Sequence, residues 1–98
     1  MNKLSFIING TQLTKKGVLS DDLRLNFKFE GNKNNWKKCK VVAVFERNRE
    51  EYAAAIKADG TCLLPEELRD SNYFRIKVIV KKEEIILETN TILITKGV

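Results

Sequence analysis

At 98 residues the chain is long enough for one domain with a single two-layer core and too short for a second. Apolar residues make up 43% and charged residues 32%, spread along the whole length, which argues against global disorder. The net charge of +5 admits nucleic acid or an acidic protein surface as a partner without choosing between them.

The longest apolar runs, Val41 to Phe45 and Ile85 to Leu87, fall far short of the roughly 20 residues that a membrane-crossing helix needs. The N-terminal stretch MNKLSFIING has no h-region of about 7–15 residues and no small-residue cleavage site, so synthesis and retention in the cytosol are expected. In that setting Asn9-Gly10-Thr11 reads as a turn rather than as a glycosylation site. Two cysteines, Cys39 and Cys62, are too few for a disulfide scaffold, and the lack of any histidine removes the usual zinc sets and any Cys/His nucleophile pair. Both cysteines read as reduced, buried, small hydrophobes.

In chain order, Leu4 to Ile8 alternate loosely, and Asn9-Gly10 is the dipeptide most favoured in two-residue type I′ turns. A hairpin with a short return at Thr11 to Thr14 is therefore expected, with Lys15-Lys16-Gly17 as an exposed connection. Ser20-Asp21-Asp22 has the composition of a helix cap, but the next residues contradict it. Leu23, Leu25, Phe27 and Phe29 fall on one side, and Arg24, Asn26, Lys28 and Glu30 on the other. Strict alternation of this kind predicts a strand with one face in the core and one in water.

Gly31 to Asn35 reads as a loop that delivers Trp36 beside Lys37, Lys38 and Lys40. An aromatic among lysines can stack on the bases of a single strand while ammonium groups hold its phosphates. The competing reading, that Trp36 covers the end of a sandwich core and the lysines keep the rim soluble, is favoured because one aromatic gives only one stacking site.

Val41 to Phe45 is apolar at successive positions, as in a central strand covered on both faces. Glu46 to Glu50 reads as a charged turn carrying Arg47 and Arg49, and Tyr52, Ala54 and Ile56 as the returning strand, although Ala53 to Ala55 would also suit a helix. Asp59-Gly60 signals a second hairpin leading into Thr61 to Leu64, with Cys62 and Leu64 facing one way. Pro65-Glu66-Glu67-Leu68 predicts about one helical turn, because proline suits the first helical position and acidic residues complement the helix dipole.

Phe74, Ile76, Val78 and Val80 alternate with Arg75, Lys77, Ile79 and Lys81, a second half-buried strand. Lys82-Glu83 is the expected turn, followed by strands at Ile85 to Thr89 and Thr91 to Thr95 that are joined or bent near Asn90, and the chain is expected to end without a linker or tail. About seven to nine short strands with turn signals every 8–12 residues predict an all-β sandwich or small barrel occupying residues 1–98.

No catalytic constellation stands out. Glu66 and Glu67 are neighbours, which diverge by about 100° on a helix, and no other carboxylate is placed to oppose them. With no serine in a nucleophile-like setting and no glycine-rich phosphate loop, no enzyme activity, cofactor or metal is expected. The candidate partner-binding residues are Trp36, Lys37, Lys38, Lys40, Arg47 and Arg49, in the two loops that border Val41 to Phe45. Those loops should lie at opposite ends of the sandwich, so scattered solubilising charge is the competing account.

The order LNFKF, Trp36, VVAVF, Tyr52, DGTCLLPEEL, FRIKVIV, LETNTILI and a final Lys-Gly resembles a domain common in tailed phages and prophages of Gram-positive bacteria, often the N-terminal module of baseplate or tail-fibre proteins. Members of that family read as an alternating Phe strand, an acidic loop with Trp-Asp-Gly, an Ala-Val-Phe strand, a Cys-x-Ile/Leu-Pro segment with an acidic-x-Leu turn, and Thr-Asn before the last strand. The likeness runs from about Leu4 to Gly97 and lies in the order and spacing of these pieces. It implies an immunoglobulin-like antiparallel β-sandwich with a structural role in a phage particle and no enzyme activity. It also implies that Phe27, Phe29, Trp36, Val44, Phe45, Cys62, Pro65, Leu68 and Asn90 define the fold. Two departures stand out: the acidic loop is here Asn34-Asn35-Trp36-Lys37-Lys38, with its charge inverted, and the sequence stops where longer members continue into further modules.

A free-standing sandwich of this kind has two expected uses. One is as a virion component docked on a tail, baseplate or head protein, for example by pairing strands edge to edge. The other is as a small inhibitor whose basic loops dock on an acidic surface of a host defence protein. A third reading, single-stranded nucleic-acid binding through an OB-like barrel, needs several aromatics exposed on one sheet face. Phe27, Phe29, Phe45 and Phe74 sit instead on the apolar sides of their strands.

Overall fold

The two segments with the strictest alternation become strands of two different sheets. The computed structural model describes residues 4–17, 24–29 and 39–95. It shows an all-β sandwich with strands β1 (Ser5–Asn9), β2 (Gln12–Lys16), β3 (Arg24–Phe29), β4 (Lys40–Arg47), β5 (Glu50–Ala55), β6 (Thr61–Leu63), β7 (Tyr73–Lys82), β8 (Ile85–Glu88) and β9 (Ile92–Thr95). One 3-10 turn, Glu66–Leu68, follows Pro65 where the helical turn was expected, and Leu68 anchors it in the core.

Sheet I has the order β2-β1-β3-β6, and sheet II the order β5-β4-β7-β8 with β9 also on β7. The chain crosses between sheets after β3, after β5 and after β6, so the two sheets pack as a sandwich whose strands alternate between layers along the sequence. All described ladders are antiparallel except β1–β3, which is parallel. Parallel neighbours require the chain to return to its starting end, and β2 makes that return.

The inward residues of both sheets merge into one cluster. Leu4, Phe6, Ile8, Leu13, Leu25 and Phe27 come from sheet I or its start, and Val41, Ala43, Phe45, Phe74, Ile76, Val78 and Ile94 from sheet II. Phe6 stacks on Phe27 at 4.8 Å, and Phe45 meets Phe74 edge-on at 5.6 Å. Each fully buried aliphatic or aromatic side chain contributes about 1.5–3 kcal/mol by leaving water. Of the residues that the family likeness marks as fold-defining, Phe27, Phe45, Cys62 and Leu68 are buried and Phe29 packs partly against the core. Val44 faces outward on β4, half-buried, while Trp36 lies outside the described residues.

Several local expectations need correction. The first turn is centred on Gly10-Thr11 rather than Asn9-Gly10, since Asn9 pairs with Gln12. Positive φ at Gly10 and not at Thr11 is the sign pattern of a type II′ turn, in which only the first central residue needs it. Lys15 and Lys16 are not a connection but the end of β2, opposite Phe6 and Ser5. The type I′ sign pattern occurs at Asn48-Arg49, with φ of 54° and 69°.

Asp59-Gly60 makes a turn but no hairpin, because β5 belongs to sheet II and β6 to sheet I. Gly60 N–H donates to Lys57 O at 2.8 Å, and the Asp59 carboxylate accepts from Thr61 N–H and hydroxyl, so the turn closes while the chain changes sheets. On β4, Val41, Ala43 and Phe45 are buried but Val42 and Val44 only half so; its outer face is not covered as a second core face would be. The turn expected at Lys82-Glu83 falls on Glu83-Glu84. Cys62 is buried, whereas Cys39 is half-exposed, and neither is in a disulfide.

The bend near Asn90 is a bulge with a function in the fold. Between the pairs Ile76↔Ile92 and Ile79↔Glu88, β7 has two residues and the opposing strand three, one extra. Thr89 N–H still donates to Val78 O at 2.9 Å, while the Thr89 hydroxyl accepts from Val78 N–H at 2.9 Å in place of a backbone carbonyl. Asn90 then reaches across to sheet I. Its side-chain oxygen accepts from Leu13 N–H at 2.7 Å and its amide donates to Leu13 O at 3.1 Å, so the side chain imitates a paired strand and ties β2 to the β8–β9 bulge.

Candidate interaction surface

Beyond the bulge, β8 runs along the open edge of sheet II with nothing on its far side among the described residues. All four of its residues are exposed, including Ile85 at 61%, Ile86 at 60% and Leu87 at 43%. Glu83-Glu84 precede this aliphatic run in the turn, with Glu83 at φ 54°, and Glu88 follows it. Three consecutive exposed aliphatics between carboxylates, on an unpaired edge, form a surface suited to another polypeptide. Sequence reasoning placed a strand here but did not single it out. The available signal was the break in alternation at Ile85-Ile86-Leu87, immediately after an acidic pair.

The outer face of sheet II beside this edge carries paired charges. Lys77 Nζ lies 2.6 Å from Glu88 Oε1, a hydrogen bond that raises the lysine above its ordinary pKa, and Arg75 lies 3.4 Å from Glu46. Val44, Glu46, Glu51, Arg75, Lys77 and Thr91 line a groove of about 360 Å³ there. A smaller hollow of about 140 Å³ at the other sheet is bordered by Arg24, Lys57, Asp59, Thr61, Cys62 and Leu63. Its thiol is a poor nucleophile: burial pushes Cys62 up to about 11, leaving little thiolate at neutral pH.

The residues proposed from sequence do not converge. Trp36, Lys37 and Lys38 lie outside the described residues. Lys40 opens β4 and Arg47 closes it, about 23 Å apart at the rise of an extended strand. Lys40 is exposed and stands directly opposite Lys81. The Arg47 guanidinium lies over the Tyr73 ring at 5.0 Å, and its Nε is buried without a hydrogen-bond partner among the described residues, so this cation is engaged in packing. Arg49 is exposed in the left-handed turn at that same end.

Among the described residues no group of three or more His, Cys, Asp or Glu side chains could hold a metal ion, and no helix is long and apolar enough to cross a membrane. In comparisons with known proteins, the chain matches no protein-family model and no curated protein sequence.

Proposed function

We propose that this chain is a non-enzymatic docking module of a phage or prophage particle, a β-sandwich that attaches to a tail, baseplate or head protein. The supporting observation is β8, an edge strand with every residue exposed and three large aliphatics in succession. Scattered surface leucines are ordinary, but a contiguous run on a free sheet edge favours association with another chain. The virion setting draws on the ordered likeness of LNFKF, VVAVF, CLLPEEL and LETNTILI to phage baseplate modules.

A second reading, an inhibitor of a host defence protein, draws on Lys40 and Lys81. Like charges directly opposite one another disfavour the sheet, and an acidic partner surface would relieve them. One experiment separates the two: capture of the tagged protein from induced lysogens, with mass spectrometry of the eluate and of purified particles. Co-purification with tail or head proteins and presence in particles supports docking. A host enzyme in the eluate and absence from particles overturns it in favour of inhibition.

A further inference from the structure

The Thr89 N–H bond to Val78 O fixes the phase of the ladder between β7 and β8. Antiparallel pairs alternate, so with Val78 and Thr89 hydrogen-bonded, Val80/Leu87 and Lys82/Ile85 are the pairs that exchange bonds. Ile86 and Glu88 therefore turn their N–H and C=O groups away from β7, toward the open edge. An extended chain laid antiparallel along β8 would complete these groups. Its side chains opposite Ile86 and Glu88 would share the outer face with them, those opposite Ile85 and Leu87 would lie on the other face, and its end would reach the turn at Glu83-Glu84.

Charge narrows the occupant. A second copy pairing β8 with β8 about Ile86 would bring Glu84, in the turn, close to Glu88 at both ends, like charges against like. The chain's other free edges do not bring two cations four residues apart: β9 offers Ile92-Leu93-Ile94-Thr95 without a cation, and the lysines of β2 are adjacent. β2 offers Leu13-Thr14-Lys15-Lys16, β5 offers Glu50-Glu51 and alanines, and β6 offers only Thr61-Cys62-Leu63. Lys77 already binds Glu88, yet that carboxylate remains half-exposed and can accept from a second cation. We infer that β8 is a strand-addition site for an extended segment of a partner protein with three apolar residues between two cations, one cation opposite Glu88 and the other beside Glu84 in the turn. This rests on the docking reading and names its chemistry.

Two soluble peptides test it on the whole chain, one containing Lys-Val-Ile-Val-Lys and the other Glu-Val-Ile-Val-Glu, followed by amide NMR and hydrogen exchange. The lysine peptide should bind about tenfold more tightly than its charge-reversed twin and slow exchange at Ile86 and Glu88. Ile86→Pro should abolish this binding, because it removes an edge N–H that β7 does not use. Should that variant fail to fold, Ile86→Lys, which keeps the N–H but opposes the lysine peptide, should weaken its binding severalfold. Equal affinity for both peptides, no saturable binding, protection at another edge, or wild-type binding by the folded proline variant would each overturn the inference. The two readings fail separately. A folded Ile86→Pro variant that still enters particles removes strand addition and leaves docking intact. Wild-type protein absent from particles, with selective peptide binding retained, removes the virion role and leaves the edge site.

Discussion

Replacing Gly60 with alanine tests how the chain crosses between its two sheets. Gly60 has φ +86°, is buried, and accepts a hydrogen bond from Phe27 N–H at 2.7 Å. A Cβ built there would lie 2.5 Å from the Phe27 carbonyl oxygen, a backbone atom of a core strand that cannot swing aside. Left-handed backbone costs a non-glycine residue about 1–2 kcal/mol, and alanine recovers roughly 0.4–1 kcal/mol by restricting the unfolded chain. Relieving the clash by overpacking adds about 1–3 kcal/mol, and weakening the hydrogen bond about 1 kcal/mol. The net destabilisation is about 4 kcal/mol, which in a domain of this size lowers Tm by roughly 16–32 °C. Gly10 supplies the control. It also has positive φ, +63°, but a Cβ there meets nothing within 4 Å, so Gly10→Ala should cost only about 0.5–1 kcal/mol. Thermal and urea unfolding, followed by circular dichroism, measure both. If Gly60→Ala melts within a few degrees of Gly10→Ala, the close approach to Phe27 does not hold the crossing, and the argument fails.

Arg49 takes φ 69° in the turn after β4, so Arg49→Gly should stabilise by about 0.5 kcal/mol and raise Tm by roughly 2–4 °C; a lower Tm would show that the arginine side chain contributes more than the strain removes. Thr89→Val keeps the shape but orphans Val78 N–H in a buried position, and should cost about 1–3 kcal/mol in urea unfolding, whereas Thr89→Ser should retain most of the stability. Asn90→Ala removes both bonds to Leu13 and should speed exchange of the Leu13 amide more than that of Phe45; unchanged exchange at Leu13 would mean that the latch contributes nothing. Burial raises the Cys62 thiol from 9.0 to about 11, so the folded state holds its proton more tightly than the unfolded state. That stability is complete below about pH 9 and lost as pH rises toward 11, and Cys62→Ala should show a flatter decline over that window.

What was legible in the sequence was whatever period two encodes locally. Alternation at Leu25-Phe27 and at Phe74-Ile76-Val78 specifies which side chains enter the core, and each of these is buried. Asp59-Gly60 was legible as a turn, but a dipeptide fixes backbone angles without saying whether the next strand pairs with the previous one; here hydrogen bonds to β3 take β6 into the other sheet. The apolar run Val41 to Phe45 did not reveal that Val42 and Val44 lie on a half-open face, because hydrophobicity reports burial only where something is present to cover it. Ile85 to Leu87 misleads in the same way. The run has the composition of an interior strand, and only the topology, with β7 already flanked by β4, places it at an edge. The separation of the basic candidates was legible as well: a strand between two loops puts them at opposite ends, and Lys40 and Arg47 are the two ends of eight-residue β4.

The four sheet edges are managed differently, and the contrast bears on the docking proposal. Asn90 occupies the outward groups of Leu13 on β2, whose remaining edge carries Lys15 and Lys16. β5 presents Glu50, Glu51 and small alanines, and β6 is only three residues long. Each is a recognised way to discourage unwanted pairing. On β8 the aliphatic run is left open, and protection is confined to Glu84 in the turn before it and Glu88 at its end. Carboxylates so placed oppose self-pairing about Ile86 but attract a strand that brings cations to those positions. Under the docking proposal the same arrangement would both limit self-pairing and favour a partner strand that carries cations. An edge needing protection alone would gain more from a charge at Ile86 itself, where the free N–H and C=O groups are.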